Sequence, residues 1–183
     1  MDYGNTIAEN NLIDNTRSVK MKDSIIFENN EEGIIFEFHI AGYQFPTDLD
    51  SGCEYDLNWL FIAGTVKHPI GNWSFRDPCL LTPEVLFMAD WFEAVENETE
   101  TQKKVITLEN QLMFELLNKN EVRTLRVLLD SYLLPPGPQK SIEIDFPVTE
   151  LDLSKHSKTL RRQLKEHNYK KRPMLTHPSY DKP

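Results

Sequence analysis

Around Thr82 the hydrophobic period of this chain changes, and that change constrains its fold more than any other feature. Before it, residues 59–66, WLFIAGTV, are rich in aromatic and β-branched side chains, the composition of a strand buried on at least one face. Gly71 and Asn72 mark a tight turn into a second short strand over residues 72–76. Asp77-Pro78 predicts its end, because proline removes a ladder donor. Thr82-Pro83-Glu84 then supplies a hydroxyl cap, a proline at the first helical position and an acid in the first turn. Val85, Met88, Phe92 and Val95 follow at spacings of three and four with Trp91 beside them. A helix running to about residue 95 must therefore lay a broad apolar face against a sheet. All three tryptophans fall between residues 55 and 94, which makes this hairpin and helix the centre of the expected core.

The flanking sequence builds on that unit. Residues 24–28 are a short strand candidate and residues 34–41 a clear one, with Phe36, Phe38 and Ile40 on one face and Glu37 and His39 on the other. Residues 42–54 form a loop carrying Asp48, Asp50 and Glu54, and Asp56 extends its acidic run to the edge of the first hairpin strand. Beyond a charged linker at residues 96–104, alternation predicts strands over residues 105–109, 111–118 and 122–130, the last two joined at Lys119-Asn120. LPPGP makes a loop, and residues 141–146 a final strand with Ile142, Ile144 and Phe146 inward. Thr149 with Asp152 resembles a capping box before a helix that buries Leu153, Leu160 and Leu164, turns a basic face outward and ends near His167. The expected architecture is α+β: a single curved antiparallel sheet of about six or seven strands with two helices packed on it. Residues 1–23 read as a flexible N-terminal segment, residues 24–167 as one domain and residues 168–183 as a basic, proline-containing tail.

Charge divides the chain more sharply than its net −9 suggests. Residues 1–154 hold 11 basic and 27 acidic side chains, a net of −16, whereas the remaining residues hold nine basic and two acidic, a net of +7. An acidic body repels nucleic acid and attracts basic protein surfaces, although solubility alone also accounts for such a balance. No apolar run has the length of a membrane span and the N-terminus has no signal-peptide core, so a soluble, cytoplasmic protein with no membrane partner is expected. Cys53 and Cys79 are too few and too poorly spaced for a disulfide framework or a zinc site and read as reduced thiols.

Signals of catalysis are weak. The five histidines lie apart, phosphate-cradling glycine loops are missing, and His39 and His68 read as structural or surface residues. The acids at 48–56 lack the rigid spacing of an oxygen cage, so a solvated loop is favoured over a metal site. Neither a catalytic residue nor a cofactor is expected. Arg76 reads either as an anion clamp or as one half of an intramolecular ion pair, and Trp73, on a short hairpin strand, is the tryptophan best placed to be exposed. Asp48, Asp50, Glu54, Asp56, Trp73 and Arg76 are accordingly the candidate partner-binding residues.

YQFP at residues 43–46, YDLNWL at 55–60, WSFRDPCLLTPE at 73–84, ADWFEA at 89–94 and IDFPV at 144–148 occur in an order and spacing that resemble the WapI-type family of bacterial immunity proteins. The resemblance spans roughly residues 34–166 and departs from the family pattern at the N-terminal extension, at Pro83 and at the basic tail. It implies a protein that binds and occludes a cognate toxin domain, a tRNA-cleaving or other nuclease, without itself touching nucleic acid. The competing reading is a non-catalytic binding or regulatory module for an unrelated protein or ligand.

Overall fold

The structure, a computed structural model, describes residues 23–46 and 53–171. Among the described residues eight strands, β1 Ile25–Asn29, β2 Ile34–Tyr43, β3 Trp59–His68, β4 Gly71–Leu81, β5 Lys104–Val105, β6 Leu112–Lys119, β7 Val122–Asp130 and β8 Ser141–Pro147, accompany two α-helices, α1 Thr82–Glu96 and α2 Leu153–Glu166. The fold is α+β, but its strands form two antiparallel four-stranded sheets, β1-β2-β3-β4 and β5-β6-β7-β8, in place of the single expected sheet. Alternation shows which face of a strand is buried and leaves its neighbour open. Here the 15-residue α1 carries the chain away from β4, and a new sheet begins. The edge strands β1 and β8 do approach each other, yet they meet through the Asn29 amide donating to the Asp145 carbonyl oxygen (3.1 Å), not through a ladder.

Both sheets turn their inner faces into one core. Phe27 on β1 stands at its middle, with ring centroids 5.8 Å from Phe92 of α1, 6.1 Å from Phe114 of β6, 5.6 Å from Phe146 of β8 and 4.9 Å from His156 of α2. The inward residues expected on β2, on β8 and on both helical stripes are all buried, as is Trp91. Trp91 also donates its indole N–H to the Gln102 carbonyl oxygen (2.8 Å), which holds the chain after α1 against the helix. Gly64 is required on β3 because a Cβ there would overlap the Glu37 carbonyl oxygen and the Phe75 ring.

Several boundaries differ from the sequence reading for identifiable reasons. β4 runs through Asp77-Pro78 to Leu81, because it is an edge strand and because Pro78 sits in an irregularity where Ile62 faces Asp77 but Leu60 faces Leu80. The β3–β4 turn is Pro69-Ile70, with His68 paired to Gly71. The β6–β7 turn is Asn120-Glu121, both at positive φ, the geometry that suits the twist of a two-residue hairpin. Strand pairing at residues 105–109 is confined to Val105. Leu81, not Thr82, caps α1, and Asp152, accepting from Lys155 N–H (2.8 Å), caps α2 without Thr149.

The stripe of α2 is partly polar. His156, Ser157, Thr159 and Gln163 are buried with its leucines. Gln163 Oε1 accepts the Ile40 N–H (2.8 Å) beside the bulge of β2, and its amide donates to the Asp23 carbonyl oxygen, so one side chain serves a backbone group of β2 and another just before β1. The outer face carries Lys155, Lys158, Arg162 and Lys165, as expected. Arg161 pairs with Asp90 and Glu93 of α1, and so fastens the two helices side by side.

Candidate partner-binding surface

The 3-10 turn Asp56–Asn58 leads into β3 and gathers several chain segments on Asn58. Asn58 is 1% exposed; its Nδ2 donates to the carbonyl oxygens of Glu54 (2.8 Å) and Lys170 (2.9 Å), and its Oδ1 accepts the Lys170 N–H (2.8 Å). Its own carbonyl oxygen accepts the Thr82 hydroxyl (3.3 Å). The end of the acidic loop, the start of β3, the first turn of α1 and residues 168–170 thereby become neighbours.

Around that knot, Tyr169 donates its hydroxyl to Glu54 Oε1 (2.6 Å), and Tyr43 donates its own to the Asn168 carbonyl oxygen. Lys170 lies 4.2 Å above the Tyr43 ring while its Nζ donates to the carbonyl oxygens of Phe45 (3.2 Å) and Pro46 (2.9 Å). Glu54 is thus engaged by Tyr169, and Asp56 is half-exposed at the start of the 3-10 turn. Asp48 and Asp50 lie outside the described residues.

Trp73 and Arg76 stand elsewhere. Trp73 pairs with Val66, seven residues along β3 from Trp59, which places it about 23 Å from the acidic end of the strand. It packs half-buried against the core, with its indole N–H donated to the Leu133 carbonyl oxygen (2.9 Å). Arg76 is exposed, and its guanidinium lies 3.7 Å over the Phe61 ring, a cation–π contact in place of the ion pair considered for it. The four candidate residues that the structure describes therefore do not converge on one spot.

The described histidines sit apart. His39 is half-buried on β2 and His68 ends β3, and burial lowers the pKa of each. Among the described residues no group of three or more His, Cys, Asp or Glu side chains is arranged to hold a metal ion, and no helix is long and apolar enough to cross a membrane. Cys79 is buried without a disulfide, its thiol pKa pushed up by burial; Cys53 is exposed.

The sequence reading passed over the outer side of α1. Leu86 and Phe87 fall off the buried stripe and are exposed, as are Ile106 and Leu108 on the segment alongside. The signal was present in Leu86 and Phe87, two large apolar residues at helix positions that a solvent-facing side ordinarily fills with polar ones.

A family model described as the immunity protein WapI-like family matches residues 25–168. No curated protein and no solved structure matches the chain.

Proposed function

The chain belongs to the immunity protein WapI-like family, and on that membership we propose that it binds and neutralises a cognate bacterial toxin domain by occluding it. The match over residues 25–168 is the observation that carries the reading, because it takes in both sheets and both helices. Immunity protein families are in general non-catalytic, so the work is one of binding.

The finer reading is that the toxin is a nuclease, of tRNA or another nucleic acid, met in the cytoplasm. Its support is charge: a body of net −16 over residues 1–154 suits a partner whose own substrate is a polyphosphate, and repels that substrate itself. The acids of the 48–56 loop would stand where the toxin's basic face otherwise meets phosphates.

Co-expression with the product of the neighbouring toxin gene tests this. The complex should co-purify, and adding the purified chain should stop the captured domain from cleaving tRNA; a toxin domain that neither binds nor is inhibited refutes the reading. For the loop, changing Asp48, Asp50, Glu54 and Asp56 to Asn or Gln should slow association and flatten its salt dependence more than neutralising the exposed Glu31, Glu32, Glu121 and Glu150 does. Equal effects would leave only the overall field. Glu96, Glu98 and Glu100 are unsuitable controls, since Glu96 accepts the Leu153 N–H at the start of α2 and the other two pair with Arg123.

A further inference from the structure

Where β4 runs into α1, three acids gather without a cation. Glu84 Oε2 accepts the Leu81 N–H (2.7 Å) and its Oε1 accepts the Leu108 N–H (2.6 Å), so one carboxylate ties the first turn of α1 to the segment that follows β5. Asp77 and Glu109 lie near enough that Glu109 disfavours the charge on both Asp77 and Glu84, adding to the effect of burial. None of the three is in an ion pair among the described residues. Gln111, 8% exposed, hydrogen-bonds Asp77 through its side chain, and its buried Oε1 has no partner.

Beside these acids lies an apolar ridge. The chain from Gln102, held by Trp91, to Leu108, held by Glu84, runs along one flank of α1. Val105 and Thr107 are buried, so the alternating Ile106 and Leu108 point outward, 62% and 61% exposed; Phe87, at 42%, lies between Glu84 and Trp91 on the flank that this segment follows, and Leu86, at 44%, is the neighbouring helix position toward α2. On the other flank a groove of about 380 Å³ is lined by Pro83, Leu86, Leu164 and Tyr169, the last reaching the acidic loop through Glu54, with Lys165 and Arg161, which is paired with Asp90 and Glu93, on its α2 side. Scattered exposed apolar residues need no explanation, but four large ones bordered by unneutralised acids have the make-up of an interface centre with a charged rim.

We propose that this face, centred on Leu86, Phe87, Ile106 and Leu108 and rimmed by Asp77, Glu84 and Glu109, is where the toxin domain docks, and that the toxin offers apolar side chains flanked by Lys or Arg. The inference rests on the immunity reading and gives it a place: the ridge is the centre of the contact, and Glu54 and Asp56 lie on its rim. Charge selects the occupant. A second copy of this chain would bring the same three acids to the interface, and an anionic lipid surface would be repelled by them. A cationic side chain would relieve the mutual repulsion of the acids.

The test uses the purified toxin domain encoded beside this chain. Phe87→Lys with Leu108→Lys should raise its Kd about a hundredfold or more, and the exposed Glu109→Lys about tenfold, with far-ultraviolet circular dichroism and melting temperature unchanged. Thr65→Lys with Ser74→Lys, a cross-strand pair exposed on the outer face of the first sheet, should change Kd by less than about threefold. Wild-type binding that survives the ridge variants overturns this surface and leaves the immunity reading standing; absence of wild-type binding overturns both. A wild-type dimer in light scattering that the ridge variant splits would assign the face to a second copy and overturn the proposal.

Discussion

Acidification should weaken this fold through His156, by an amount that follows from its surroundings. The ring packs edge-on against Phe27 at the centre of the core, hydrogen-bonds the Ile26 backbone and is 7% exposed. Burial pushes its pKa down to about 4; Lys155 acts in the same direction and Asp152 opposes. In the unfolded chain the ring returns to an ordinary value of about 6.5, so between those values the unfolded state binds more protons than the folded one. Stability therefore rises with pH through this window and falls as pH drops through it. The folded protein holds the ring neutral, and the difference is about 2 kcal/mol between pH 7 and pH 5, approaching about 3 kcal/mol below pH 4. Urea unfolding at pH 7 and pH 5 measures it, and His156→Gln, which cannot titrate, isolates it from His39 and His68, whose pKa values are also lowered. The variant should be less stable than wild type at pH 7, and its loss on acidification should be smaller by that difference. The same pH 7 to pH 5 loss in both proteins would refute the assignment.

Trp91→Ala should cost about 3–5 kcal/mol in urea unfolding, through the cavity and the loss of the bond to Gln102; a cost below about 1 kcal/mol would contradict its burial. Gly64→Ala should cost about 3 kcal/mol or more, since the backbone at Glu37 must move to admit a methyl group, and an unchanged unfolding midpoint would show that the β2–β3 spacing is wrong. Asn58→Ala should cost about 2 kcal/mol and speed proteolytic cleavage near Tyr169, because both the Lys170 N–H and the Lys170 carbonyl oxygen lose their partner; unchanged cleavage would mean that those bonds do not hold the segment.

What could be read from the sequence is what periodicity encodes. The stripes of α1 and α2 and the inner faces of β2 and β8 follow from spacing alone, because each places its apolar residues on one side whatever the neighbours. The division into two sheets does not follow, since pairing depends on which edges meet in space. Pro78 reads as a terminator until the strand is known to be at an edge. His156 and Gln163 carry no hydrophobic signal, and their burial is set by backbone groups of β1 and β2 more than a hundred residues earlier. The candidate site was legible in its acids and not in its geometry: Glu54 acquires its neighbour from Tyr169, 115 positions away, and Trp73 is drawn inward by a carbonyl at Leu133. Leu86 and Phe87 stood in plain view, but their exposure has meaning only once the helix has a buried side.

The long reach of α2 also bears on the order in which the protein comes into being. β1 and β2 leave the ribosome well before α2: the bulge at Ile40 finds its acceptor only in Gln163, 123 positions later, and Asn29 finds Asp145 116 positions later. Contacts of that separation are closed late and at high entropic cost, which slows folding relative to a helical protein of equal size. Until the last helix emerges, the first sheet keeps Phe27 uncovered on the α2 side and a carbonyl at Asp23 unsatisfied. Between the emergence of the first sheet and that of α2 a nascent chain is therefore open to aggregation and to capture by a chaperone.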